Sequence, residues 1–380
     1  MAVACALIFW SILSDPVSVA AHDVPKEIDN SAKDIQAGGK TPALKKKDDR
    51  RFLPVPVPIS NPTIGSGLEL GLMYMWPREK DHPDAPQSIS ALMGAYTSNP
   101  CWMVGLVHQG FYADDTIRLS GALAYGKFNL EFYGIGNDSI FTDDPLDYEN
   151  TFTFFHPQAR FKLPFISNDL FAGLALFYLD ADVTFDLSDV SSALPDPSLD
   201  RKSFGLGPVL TYDSRDDVHW PTKGIWMDAS VLDFDEGIGS DFDFWKYMLN
   251  WEQSFPLTRS LVLQYRYDLQ YIDGQAPFYQ LSYIKLRGFP RGLYTDDLSM
   301  TLQAQLRWDI YKKLTLMFFG GGGRVAENFS DIGSNPTRYA GGIGFRYMIA
   351  PEAKITLGTD FAYGNDGMTF YVQVGDSLSH

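Results

Sequence analysis

The side chains with the greatest chemical reach in this chain sit together in Leu286-Arg287-Gly288-Phe289-Pro290-Arg291-Gly292, with Asp296-Asp297 close behind. Arg287 carries a fixed charge on a planar fork of donors, Gly288 permits close backbone approach, and Phe289 offers an apolar plug. The chemistry available to such a segment is ion pairing rather than bond breaking. If it dips into an enclosed space, Arg287 must find carboxylates there or remain in water. As an ordinary surface-loop arginine it needs neither.

Covalent chemistry has little else to work with. A hydrolase or acyltransferase needs a nucleophile, a base and an orienting group at one depth. Of His22, His82, His108, His156, His219 and His380, only His156 shares a polar face with Gln158, Arg160 and Lys162. It reads as a hydrogen-bonded polar residue rather than a general base. No Ser-His-Asp, paired-carboxylate or metal-ligand spacing stands out, so no catalytic residue, cofactor or metal is expected and the chain reads as non-enzymatic. Of two cysteines, Cys5 falls in a leader, and Cys101 alone reads as a small apolar side chain near the start of a strand.

The element that must position these residues follows at once. From Ser299 to Ile310, Ser299, Thr301, Gln303, Gln305, Arg307 and Asp309 form one face. Met300, Leu302, Ala304, Leu306, Trp308 and Ile310 form the other. A strand with Arg, Asp and Gln on one side and Trp, Leu and Met on the other separates a wet space from a greasy one, as a transmembrane barrel strand does. The pattern recurs in 260–271, where Gln264, Arg266, Asp268 and Gln270 alternate with Leu263, Tyr265, Tyr267 and Leu269. In 337–348 the polar face carries Arg338 and Arg346, and in 353–363 it carries Lys354, Thr356 and Asp360. Charges of both signs predict a wet, cross-linked lumen rather than a dry core.

Composition agrees and excludes. After the first two dozen residues no stretch approaches the roughly 18 continuous apolar residues of a spanning helix. Glycine (33), Phe (27) and Tyr (20) suit strands and interfacial girdles. A net charge of −16 and pI near 4.7 argue against nucleic acid as a partner. The acids cluster in expected loops, where they read as solvated, with cation bridging to anionic lipid as the alternative.

At the N-terminus the apolar Ala2–Leu13 and the small Ser18-Val19-Ala20-Ala21 predict a signal peptide over 1–21. Residues 22–51 are polar and aperiodic and are expected to be a disordered periplasmic tether; 52–380 are assigned to the barrel. Pro54-Val55-Pro56-Val57-Pro58 reads as a stiff lead-in. Sixteen strand candidates follow, from 66–76 to 368–377, including separate strands at 115–124 and 127–134. Short connections at 97–100, 164–169, 255–259, 311–313 and 350–352 alternate with long ones at 77–87, 135–151, 181–203, 272–297 and 324–336. An even count with short periplasmic turns and long outward loops predicts an all-β, transmembrane antiparallel barrel of about 16 strands.

These features resemble the barrel domain of the BamA/TamA-type superfamily, or bacterial surface antigens, whose members insert or translocate proteins at the outer membrane. Leu286-Arg287-Gly288-Phe289 is similar to the family signature on a lumen-inserted outward loop. Asp213, Arg215 and Asp216, then Pro221 and Gly224, resemble its turn motif. Phe132 to Asp138 and the terminal Phe370-Tyr371-Val372 to Leu378 also match, the latter marking Phe370, Val372, Gly375 and Leu378 as an insertion signal. The family often places an acid where this chain has Gly320 to Gly323, before Arg324-Val325. That leaves Asp360, Asp309 or Asp268 as partners for Arg287. A second departure is Leu378, where the family ends on an aromatic, and a third is the absence of room for POTRA domains.

The resemblance implies an integral protein of a Gram-negative outer membrane, contacting lipid and lipopolysaccharide and handling unfolded outer-membrane or exported proteins, in protein or lipid assembly. The alternative is a passive pore or structural barrel that has lost that role. A weak seam between first and last strands favours assembly, and Gly65, Gly67 and Gly71 are compatible with either a loose seam or a kinked, closed barrel.

Overall fold

Alternating faces bury their polar side only if the sheet closes, and here it does. The computed structural model describes residues 52–61, 63–77, 88–137, 139–187, 198–217, 220–350, 354–365 and 367–374. The expected signal and tether lie outside the described residues. Strands β1 (Phe52–Asn61), β2 (Gly65–Met75), β3 (Ile89–Thr97) and β4 (Trp102–Tyr112) are of ordinary length. The longer β5 (Ile117–Phe132), β6 (Leu146–Lys162), β7 (Leu170–Phe185) and β8 (Ser198–Asp213) follow. After β9 (Gly224–Phe234), β10 (Phe244–Pro256) and β11 (Leu261–Gly274), the two-residue β12 (Ser282–Tyr283) and β13 (Thr295–Asp296) form a hairpin within loop 275–297. The chain then completes β14 (Leu298–Tyr311), β15 (Leu314–Ala326), β16 (Arg338–Ala350), β17 (Ile355–Gly364) and β18 (Gly367–Val374). All but β12 and β13 join in one closed antiparallel barrel of sixteen strands, with β1 beside β18.

The count of sixteen agrees with the expectation, but two strands differ from it. Residues 117–132 are one strand, not two. Gly126 marks a close approach rather than a turn, since a Cβ there would lie 2.5 Å from the Trp102 carbonyl oxygen. The proline-rich 52–61, expected as a lead-in, is itself β1 and pairs with β2 along ten residues. This extra crossing reverses two connections: 76–88 lies at the end of the short turns, and 98–101 at the end of the long loops. From 133 onward the alternation runs as read.

Leu70, Leu92, Leu302 and Trp308 face outward and are exposed, as a lipid-facing band requires, while Gln303, Gln305, Arg307, Arg346 and Asp360 are buried inside. The lumen is not uniformly wet, and here the expectation is corrected. The inward residues of β5–β7, with the facing ends of β9 and β10, are apolar toward the loop end: Phe128 stacks on Phe152 at 5.1 Å, Phe154 meets Phe177, and Phe234 stacks on Phe244 at 4.2 Å. A spanning strand needs about 9–11 residues, and β6 has seventeen. The surplus rises past the membrane and closes over a dry core with Tyr279 and Leu281 of loop 275–297. Inward charge lies instead along β10, β11 and β14–β17, at Lys246, Glu252, Arg266, Asp268, Arg307, Arg346 and Asp360, and at the turn end.

Candidate functional site: the lumen loop and the seam

Loop 275–297 folds into the barrel because β14 supplies its polar face as a docking strip. Ser299 Oγ donates to the Tyr283 carbonyl at 2.8 Å, and Gln303 Nε2 donates to the Lys285 carbonyl at 2.7 Å. At the loop tip Arg287, 7% exposed, donates from Nη1 to Asp360 Oδ2 at 3.0 Å and from Nη2 to Gln305 Oε1 at 2.9 Å. Its guanidinium carbon lies 3.5 Å from the centre of the Phe319 ring. Arg346 grips the other side of Asp360, with Nη1–Oδ1 at 2.7 Å and Nη2–Oδ2 at 2.9 Å. Asp360 is therefore a fully buried carboxylate between two arginines.

Of the three acids named from the sequence, only Asp360 is within ion-pairing distance of Arg287. Asp309 accepts from Thr315 Oγ1 at 2.6 Å, and Asp268 accepts Arg266 Nε and Nη2, both at 2.7 Å. The glycines that stand where the family places an acid have a physical use. A Cβ on Gly321 would lie 2.9 Å from Leu286 Cδ1, and one on Gly323 would lie 2.7 Å from Ile284 Cγ2. Bare backbone in β15 clears the berth for the loop, and Phe319 provides its floor.

Gly288 has φ +118°, and a Cβ there would lie 2.6 Å from Ala340 Cβ. Its N–H donates to the Tyr371 hydroxyl on β18 at 3.0 Å, while the Arg291 N–H donates to Thr63 Oγ1 between β1 and β2 at 2.9 Å. The loop thus touches both sides of the seam. Sequence reading missed Tyr371 and Thr63; Tyr371 lay inside a recognised motif and faces the lumen with Asp360, whereas nothing marked Thr63. Within the Phe132–Asp138 motif, the Gly136 N–H donates to the Thr295 carbonyl of this loop at 2.7 Å, and Asn137 Nδ2 donates to the Val325 carbonyl of β15 at 3.1 Å.

The seam differs from every other joint. Among the described residues, Ser60 and Val372 are the one registered pair between β1 and β18. In an antiparallel strand, alternate residues direct both N–H and C=O to opposite neighbours. Ser66 on β2 turns both groups toward Ser98, so its odd-numbered neighbours serve the β1 ladder and pair with Leu53, Val55, Val57 and Ile59. Pro54, Pro56 and Pro58 therefore lie on the seam edge of β1, and none has an N–H to give; in the register of Ser60 with Val372, Pro58 comes opposite Val374, the last residue of β18, and Pro54 and Pro56 come beyond its end. Ser60, the first residue on that edge after the prolines, is the one in register.

The turn motif closes the opposite end. Asp213 accepts Arg215 Nε at 2.9 Å and Arg118 Nη1 at 3.1 Å. Asp216 accepts the Thr222 and Lys223 N–H groups at 2.8 and 3.1 Å, and Gly224 has φ +108°. The Pro221 carbonyl accepts Arg307 Nη2 at 2.8 Å, and the Arg307 guanidinium carbon lies 4.1 Å from the Trp220 ring centre. This turn lies across the mouth and packs on the lumen wall. At the terminus Phe370 packs outward on Phe361 at 5.1 Å. Gly375 and Leu378 lie outside the described residues.

His156 has a structural role. Its Nδ1 donates to the Leu176 carbonyl at 2.6 Å, opposite Pro157, and its Nε2 accepts from Gln158. The ladder skips Pro157, and the imidazole serves the carbonyl that the proline leaves. Cys101 is buried and bonded to the backbone of Asn99 and Asn129. Among the described residues no cluster of His, Cys, Asp and Glu is spaced to hold a metal ion.

Residues 175–363 match the Omp85 superfamily domain. No curated protein matches the sequence. Among solved structures, BamA from Haemophilus ducreyi lacking POTRA domains 1–3 is similar at 15% identity and a TM-score of 0.56, over 89% of this chain and 74% of that one. CdiB from Escherichia coli is similar at 12% identity and a TM-score of 0.58, over 84% of this chain and 62% of that one. CdiB from Acinetobacter baumannii gives 12% and 0.55, over 85% and 59%. At these identities the likeness is one of fold, and this chain spans less than two thirds of either CdiB.

Proposed function

The chain belongs to the Omp85 superfamily, and from that premise we propose that it inserts or translocates protein chains at the outer membrane of a Gram-negative cell by opening the β1–β18 seam. The observation that carries this reading is the thin joint: among the described residues Ser60 and Val372 are its one registered pair, Pro58 brings no donor opposite Val374, and Pro54 and Pro56 leave the rest of that β1 edge without donors. Loop 275–297 acts as an internal latch, held to β18 through Tyr371 and to the β1–β2 turn through Thr63. The outer face of β1 and β18 meets lipid and lipopolysaccharide, so an opened seam delivers a client strand directly into the bilayer. The same seam serves lipid assembly if the client is a lipid.

The test is a reversible lock. Ser60 and Val372 stand opposite each other across the seam, and Cα atoms of directly opposed residues in an antiparallel ladder, about 4.5–5.5 Å apart, suit a disulfide. Ser60→Cys with Val372→Cys, in a Cys101→Ala background, is reconstituted into lipopolysaccharide-containing liposomes with a urea-unfolded outer-membrane barrel as client. Folding of the client should be faster than in empty liposomes, stop on oxidation and resume with reductant. Folding unchanged by the oxidised lock would remove the seam from the mechanism. No acceleration by the wild-type protein would leave a passive or structural barrel.

A further inference from the structure

Beneath loop 275–297 lies a half-enclosed cavity of about 60 Å³, lined by Lys246 of β10, Gln270 of β11, and Gln280, Lys285 and Arg291 of the loop, with Glu131 at its exposed rim. Of its cations, Arg291 lies over the Tyr283 ring at 4.5 Å and Lys285 is in range of Asp268, but Lys246 makes no ion pair among the described residues, and an ammonium beside other cations in a half-enclosed space is expensive unless something of opposite charge completes it. The acids around it serve other groups as well: Asp268 takes two bonds from Arg266 and stands 4.0 Å from Lys285, Glu252 accepts Arg266 Nη1 at 2.8 Å, and Glu131 accepts the Tyr133 hydroxyl. Lys246 spends one of its three donors on the Gln280 carbonyl at 2.8 Å.

The two amides point the same way. Gln270 is 4% exposed and Gln280 is 2% exposed; the Nε2 of each, and the Oε1 of Gln280 too, are buried without a hydrogen-bond partner among the described residues. Buried amide donors are nearly always paired in native proteins. Here two of them line a cavity whose other donors are ammonium and guanidinium groups. Donors converging from three chain segments match an acceptor with several oxygens around one centre better than a planar carboxylate does.

We propose that this cavity is a binding site for a phosphate group, seated by Lys246, Lys285, Arg291, Gln270 and Gln280 inside the barrel. A bound phosphate would tie the loop to β10 and β11 at a point separate from the Arg287–Asp360 pair. The phosphate could be free or could belong to a phosphorylated sugar headgroup, and the two differ in whether the cavity mouth admits the sugar.

Calorimetric titration of the refolded protein in phosphate-free detergent tests this, using inorganic phosphate and glucosamine 1-phosphate as probes and chloride at equal ionic strength as control. Saturable phosphate binding is expected, roughly tenfold weaker in Lys285→Gln and again in Lys246→Gln. Gln280→Leu should weaken it while leaving every charge in place, which separates a built site from general attraction to cations. Tighter binding of glucosamine 1-phosphate would assign a headgroup, and equal or weaker binding would assign free phosphate. No saturable binding of either probe, or binding unaltered in folded Lys285→Gln and Gln280→Leu, would overturn the proposal and leave the cavity to water.

Discussion

Arg287 and Asp360 are seventy-three residues apart in the chain and 3.0 Å apart in the barrel. The pair ties an outward loop to the wall near the seam, and Arg346 completes the carboxylate's shell from the neighbouring strand. The three charges are not equivalent. Asp360→Asn leaves two buried guanidiniums without a counter-ion, a loss on the order of 3–5 kcal/mol. Arg287→Ala leaves Asp360 paired with Arg346 and should cost about 2 kcal/mol. Guanidinium unfolding in detergent, followed by intrinsic tryptophan fluorescence, should rank Asp360→Asn below Arg287→Ala and both below wild type.

Gly288 is a hinge by necessity, since its φ of +118° and its contact with Ala340 leave no room for a side chain. Gly288→Val should dislodge the loop tip and cost about 1–3 kcal/mol. A protease that leaves the wild-type loop intact should cut this variant within 275–297. Unchanged resistance would mean that the tip tolerates a Cβ.

The prolines of β1 lower the stability of one joint only. Pro58→Thr restores the donor opposite Val374, worth about 1 kcal/mol when paired, and Pro54→Thr and Pro56→Thr add two more along the same β1 edge. The triple variant should resist heat in SDS at higher temperature than wild type, and should fold clients more slowly. A variant of unchanged heat resistance would show that those edges do not meet β18.

Asp216 gives the turn at the other mouth its pH dependence. Burial alone would raise its carboxyl, but hydrogen bonds from the Thr222 hydroxyl and N–H and from the Lys223 N–H outweigh that and hold it below the usual range. A depressed folded-state pKa contributes stability that is full above the unfolded value of roughly 4 and is lost as pH falls through the folded one. The difference in melting temperature between wild type and Asp216→Asn should therefore be largest near neutrality and shrink in acid below that range. A constant difference across pH would contradict the assignment.

Much of this architecture was legible because a barrel wall writes itself with period two. Ser299 to Ile310 declared its two faces, and Asp360 entered the short list of partners for Arg287 simply by facing inward. What failed did so for physical reasons. Prolines at every second residue argue against a strand, yet the seam is the one joint where a barrel accommodates a strand edge short of donors, so 52–61 was misread and two connections were reversed. Gly126 looked like a break but marks close backbone approach. The apolar core under the loop was not foreseen, because the charged inward faces of 260–271, 299–310, 337–348 and 353–363 set the expectation for the whole lumen, and no face was assigned to Phe128, Phe152 or Phe177. Thr63 carried no signal, because its role depends on a loop more than two hundred residues away.

The most direct test of the seam as the moving part is hydrogen–deuterium exchange of the protein in lipid nanodiscs, comparing peptides from β1 and β18 with those from β5 and β6. The β1 and β18 amides should exchange well ahead of the β5–β6 ladder, and faster still in Arg287→Ala, where the latch is weakened. Equal protection around the whole barrel, unchanged in Arg287→Ala, would contradict an opening seam.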